Sequence, residues 1–145
     1  MRFIHDDGGR TAAGFKGHAG DCVARSVSIA SGRPYAEVYS VLANGTGAQR
    51  ATKRTPARAK SARSGVNVKR EWFKRYMASL GFTWTPTMQI GSGCKVHLAD
   101  GELPMGRLVV SVSGHYTAVI DGTIRDTYNP HRDGHRCVYG YWKLA

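Results

Sequence analysis

Three residues of this chain have side chains suited to acyl transfer, and their spacing lets a fold assemble them: Cys22, His115 and Asp126. A thiol becomes a useful nucleophile near neutral pH only as the thiolate, which the unpaired N–H groups of a helix N-terminus help to stabilise. In "GDCVARSVSIA" the thiol follows Asp21, whose carboxylate suits an N-cap, so Cys22 is predicted in the first turn of an apolar helix. The same N–H groups suit an oxyanion developing beside the sulfur. A base and an orienting acid are read from "HYTAVIDGTIRDTY". With Asp121-Gly122 as a two-residue type I′ turn, Ile120 pairs with Thr123, Val119 with Ile124, Ala118 with Arg125 and Thr117 with Asp126. His115 then lies opposite Tyr128, and Asp126 is its diagonal neighbour on the same face, about 7–8 Å away at the backbone. Asn129 falls on the other face of a regular strand and is the second choice for the orienting group.

Each residue also has a plainer reading. A lone cysteine in an apolar helix is most often a small buried hydrophobe. His115 reads equally as a hydrogen-bonded histidine at a strand start, and Asp126 as a shaper of the turn before Asn129-Pro130. A metal site is not expected, because among Cys94, His97, His131, His135 and Cys137 only His131-x₃-His135 approaches the paired spacing of structural zinc. His131 and His135 read instead as loop residues around an Asp133-Gly134 turn. No cofactor is expected.

The elements that must position these groups follow from hydrophobic period and breakers. Residues 1–20 are polar and glycine-rich, a lead-in with one short strand at Arg2–His5. The helix from Cys22 to Ala30 stops at Gly32, and Pro34 suits N1 of the next. In "PYAEVYSVLAN" Tyr35, Val38, Tyr39 and Leu42 form one face, and in "NVKREWFKRYMASLGF" Val68, Trp72, Phe73, Tyr76, Met77 and Leu80 form another, ended by Gly81. Strands are expected at 107–113, 115–121, 123–128 and 137–142. Helices followed by strands predict an α+β fold, one domain over 1–145, with N-terminal helices packed on a mainly antiparallel C-terminal sheet.

Charge and cysteine usage bound the function class. The 145 residues carry 21 Lys or Arg against 10 Asp or Glu, a net charge of +11. Six of those cations, Arg50, Lys53, Arg54, Arg58, Lys60 and Arg63, fall in "GTGAQRATKRTPARAKSARSG", residues 45–65, which holds no acid and no large apolar residue. That stretch reads as a flexible insertion outside the core: either a solvated loop or an anion-binding arm for nucleic acid or an acidic protein. Without interleaved aromatics, it is not suited to stacking on single-stranded bases. Three cysteines at wide spacing, without CxxC, read as reduced thiols. No window approaches the run of about 18 apolar residues that spans a bilayer, and "MRFIHDDGGR" has no signal-peptide core. The expectation is therefore a soluble, cytoplasmic protein without membrane contact.

Taken in order, "DCVARSVSIASGRPYAEVY", "GHYTAVIDGTIRDTYNP" and the terminal "VYGYW" resemble the papain-like cysteine peptidase superfamily. The look is closest to its compact peptidase C39-like branch and to small phage-encoded proteins of that kind. The likeness spans Asp21–Asn44 and Val66–Trp142. It implies a papain-like fold, Cys22 as nucleophile, His115 as general base and acid, and Asp126 as orienting acid. It further implies a protein or peptide substrate and a place in a bacterial host's cytoplasm or a virion. Papain-like enzymes commonly place a Gln several residues before the Cys to hold the oxyanion, whereas this chain has "GFKGHAG" there. The donor role would pass to Lys16, His18 or the backbone N–H of Cys22. A rival of another class is a basic, non-enzymatic virion or nucleic-acid-associated protein that keeps the fold without turnover and acts through residues 48–63.

Overall fold

The C-terminal half is organised around one tight hairpin. In the computed structural model, which describes residues 1–16, 20–49, 60–62, 65–89 and 91–145, strand β4 (His115–Ile120) turns through Asp121-Gly122 into β5 (Thr123–Asp126). Both turn residues have positive φ, 47° and 79°, as a type I′ turn requires. The register is the expected one: Ile120 with Thr123, Val119 with Ile124, Ala118 with Arg125.

Around this hairpin the other strands complete a mixed six-stranded sheet. Strand β1 (Arg2–His5) pairs in parallel with β5, and β3 (Arg107–Val112) pairs antiparallel with β4. On the far side of β3 lies β6 (Val138–Leu144), and antiparallel to it β2 (Phe82–Pro86). The order is β1-β5-β4-β3-β6-β2. Strand β2 is an edge strand outside the expected set, mostly exposed and ending in Pro. It is seated by Trp84, whose ring lies where a Cβ on Gly140 would be.

Three helices cover one face. Helix α1 (Cys22–Ser31) ends as expected at Gly32, whose φ of 74° is left-handed and whose N–H donates to Ser28 O at 3.0 Å. Helix α2 (Tyr35–Ala48) starts one residue later than expected, with Pro34 at the N-cap rather than N1. It also runs past Asn44 through Gly45, Thr46 and Gly47, where glycine content suggested a break. A Cβ on Gly45 would fall inside the Trp72 ring, so the glycine lets helix α3 (Glu71–Ser79) approach. Thr46 and Ala62 are fully buried, so the 45–65 segment contributes to the core after all. Val27, Val38, Leu42, Phe73, Met77 and Val109 pack between helices and sheet.

A second apolar layer lies on the other face, where Leu98 joins Leu108, Val110, Val119, Ile124 and Val138. The connection from 87 to 106 reaches it by pairing with the start of β6: Leu98 N–H donates to Arg136 O and Val138 N–H to Val96 O, both at 2.8 Å. That pairing brings Cys94 and Cys137 to a Cα separation of 5.9 Å, and they are joined in a disulfide. The expectation of three reduced thiols is thus corrected, and Cys22 alone is free. Spacing in sequence held no sign of this contact. Among the described residues no helix is long and apolar enough to cross a membrane.

Candidate active site

The site is built where the N-terminus of α1 meets the start of β4 and the end of β5. Cys22 is the first residue of α1, and Asp21 stands at the N-cap, its carbonyl accepting the Arg25 N–H at 3.0 Å. Asp21's side chain makes no cap, contrary to expectation. Its carboxylate, 1% exposed, accepts from Arg25 Nη1 and the Tyr35 hydroxyl, and Arg10 Nε lies 3.2 Å away. A buried carboxylate is costly unless it is matched by charge and hydrogen bonds, and these partners outbid the local N–H groups. Burial, then the hydrogen bond and charge of Asp21, hold the Tyr35 phenol well above its ordinary pKa.

The predicted triad assembles. His115 Nε2 lies 2.7 Å from Asp126 Oδ2, which also accepts from Thr117 Oγ1 at 2.7 Å. The other oxygen, Oδ1, accepts the Thr127 N–H at 2.7 Å and lies 3.8 Å from Arg25 Nη2. With Nε2 committed to Asp126, His115 has Nδ1 left, and the ring shares the cleft with the Cys22 thiol, whose pKa it lowers together with the Tyr116 backbone N–H. The Tyr128 ring packs on the imidazole, centroids 5.0 Å apart.

The electrostatics displace both groups toward their charged forms. Burial would raise the Cys22 thiol, but the hydrogen bonds from His115 and Tyr116 and the charges of His115 and Arg25 outweigh it, and the pKa falls below the ordinary 9.0. Burial would lower His115, yet its bonds to Asp126 and Cys22 push it up to about 9. Asp126 is held below its usual range despite burial, chiefly by the His115 and Thr117 hydrogen bonds. Both shifts act in the direction of a thiolate facing an imidazolium. The pair opens on a cleft of about 640 Å³, whose lining includes Arg10, Arg25, Asp7 and Tyr128.

Other expected residues fare differently. Lys16 is exposed and does not line the cleft; its carbonyl accepts from Arg10 Nη2 at 3.0 Å, so the side chain is not placed to hold an oxyanion. The Cys22 N–H, at the first position of α1, has no intrahelical acceptor and remains a candidate donor. Asn129 is exposed and its Oδ1 accepts the His131 N–H at 3.2 Å, which removes it as an alternative to Asp126. His18, Arg50, Lys53, Arg54, Arg58 and Arg63 lie outside the described residues, while Lys60 is exposed and packs its stem against Gly47. His131 takes the Gly134 N–H on Nδ1, and His97 pairs with Glu102 at 3.1 Å. Among the described residues no group of three or more His, Cys, Asp or Glu converges to hold a metal.

Arg10, Arg25, Tyr35 and Thr117 were not foreseen. Arg25 had a local signal, since it lies four residues after Asp21 and three after Cys22 on one helical face. Arg10 and Tyr35 had none, because only tertiary packing brings them to Asp21. No protein-family model, curated protein or solved structure matches this chain.

Proposed function

We propose that the protein is a papain-like cysteine hydrolase, a peptidase or isopeptidase acting on a protein substrate through an acyl-thioester. The observation that carries the reading is one imidazole held by the Asp126 carboxylate at 2.7 Å and sharing a cleft with the free Cys22 thiol at the N-terminus of α1. A helix bearing the nucleophile and packed against an antiparallel hairpin bearing base and acid supports the papain-like assignment. The Cys22 thiolate attacks the carbonyl carbon, and the oxyanion takes the Cys22 N–H. Imidazolium Nδ1 then gives its proton to the departing amine, leaving a thioester. Water next loses a proton to Nδ1 as its oxygen attacks the acyl carbon, and collapse of that adduct releases acid and thiolate. Asp126 keeps Nε2 protonated and the ring aimed throughout. The resemblance to phage-encoded proteins makes a bacterial host cell or a virion the proposed setting.

The test uses iodoacetamide, a neutral alkylating agent. Only Cys22 is free to react, and it is expected to be modified at pH 6 about tenfold or more faster than an unperturbed thiol. His115→Ala should abolish that advantage. Ordinary thiol kinetics in the native protein, unchanged by His115→Ala, would sink the enzyme reading.

A further inference from the structure

We propose that Arg25 is a positioning residue of the site: it clamps Asp126 against His115 while anchored on Asp21, so that α1 supplies both the nucleophile and the brace of its base. The inference rests on the cysteine-hydrolase reading and adds to it a residue that reaches the imidazole only through another side chain.

The geometry is that of a bridge. Arg25 Nη1 donates to Asp21 Oδ1, and Nη2 lies 3.8 Å from Asp126 Oδ1. The opposite oxygen of Asp126 carries the His115 contact, so the guanidinium and the imidazole hold the carboxylate from its two sides. Arg25 is 8% exposed and Asp126 4%, which leaves little solvent to screen either contact. A planar fork can serve two carboxylates in fixed directions, whereas an ammonium is a point charge.

Charges alternate across the site: Arg10 and Arg25 flank Asp21, Asp126 follows Arg25, and the imidazolium and thiolate complete the series. Beside this series lie the Tyr35 hydroxyl on Asp21, the Tyr128 phenol against His115 with the Arg136 charge near it, and the Tyr116 phenol, on which the Cys22 charge acts, while His5 and Asp7 line the same cleft. Without Arg25 the series loses its middle cation. Asp126 then keeps only hydroxyl and N–H donors against rotation, and the thiolate loses a positive neighbour. Both changes disfavour the ion pair, so the thiol should need a higher pH to ionise.

The experiment is the pH profile of Cys22 alkylation by iodoacetamide in the native protein, Arg25→Gln and Arg25→Lys, each first shown folded by circular dichroism. A downfield ¹⁵N-correlated proton resonance of the His115 ring is recorded alongside. Arg25→Gln is expected to move the acid limb up by about one pH unit, slowing alkylation on that limb about tenfold, and to weaken the downfield signal. Arg25→Lys should shift the limb about half as far. If Arg25→Gln fails to fold, Arg25→Lys is read alone, and a shift of about half a unit with a weakened ring signal supports the bridge. A folded Arg25→Gln with the native profile and signal, whatever its melting temperature, overturns the proposal, as does a native profile for Arg25→Lys where it is read alone. An ordinary thiol profile in the native protein overturns the hydrolase reading, and the proposal with it. A native low-pH thiolate that survives loss of Arg25 overturns the proposal alone.

Discussion

At the scale of single residues, the site depends on two shifts of opposite sign. His115 is raised from 6.5 to about 9, so its proton is bound more tightly in the folded state. Its contribution to stability is therefore complete below about pH 6.5 and is lost as pH rises through about 9. Cys22 is lowered, so the thiolate–imidazolium pair occupies the window between its pKa and that of His115. The proposed hydrolysis should hold over that window and decline through about pH 9, where the proton for the leaving amine is lost. Thermal melts of native protein and His115→Ala at pH 6 and pH 9.5 check the first point: the native protein should lose more stability between the two than the variant. The triad was legible because a type I′ turn and the alternation of the pleat place Asp126 beside His115 from sequence alone. Asp21 was misread because the cap rule is local, whereas the groups that took its carboxylate arrive from residue 10, from residue 35 and from one turn along α1.

At the scale of elements, two glycines mark places where backbone must come close. Gly45 lies within α2, where alanine is ordinarily worth about 1 kcal/mol more than glycine. Here the Trp72 ring fills the space of a Cβ, and the ring is held by its Nε1 donating to Gln49 Oε1 at 3.2 Å. Gly45→Ala should therefore destabilise, by about 1–3 kcal/mol of overpacking, in urea unfolding. A gain in stability would show that α3 can retreat. Helix α2 was read short because Gly-Thr-Gly is a stop by propensity, and only its partner helix reveals why the helix continues. Strand β2 was missed for a related reason: an exposed edge strand lacks the buried run that marks β3 and β4, and its anchor is the ring of Trp84 on Gly140, a contact 56 positions away in the chain. Elements buried on a face were legible, and elements defined by a neighbour were not.

At the scale of the whole molecule, the covalent cross-link does not line the cleft of the site. Cys94 and Cys137 tie the connection before β3 to the segment that leads into β6, while Cys22 lies on the helix that packs with the first apolar layer. Replacing both cysteines by serine should cost about 2–4 kcal/mol in urea unfolding, as removal of a chain-closing bond does. The Cys22 alkylation profile should not change, and a changed profile would mean that the second layer sets the pose of His115. A chain with 21 basic and 10 acidic side chains, net charge +11, should draw polyanions whatever the chemistry of the cleft, so assays on acidic substrates belong at defined salt. The cross-link also divides the three residues of the candidate site topologically. The disulfide closes a ring of chain that contains β3, β4 and β5, hence His115 and Asp126, and leaves Cys22 outside. A protease that cuts once anywhere between residues 95 and 136 therefore yields no separate fragments until the bond is reduced. Nicked and intact protein would have almost the same mass, differing by one water, and a comparison of reducing with non-reducing gels would map the loops that yield first around the base and its acid.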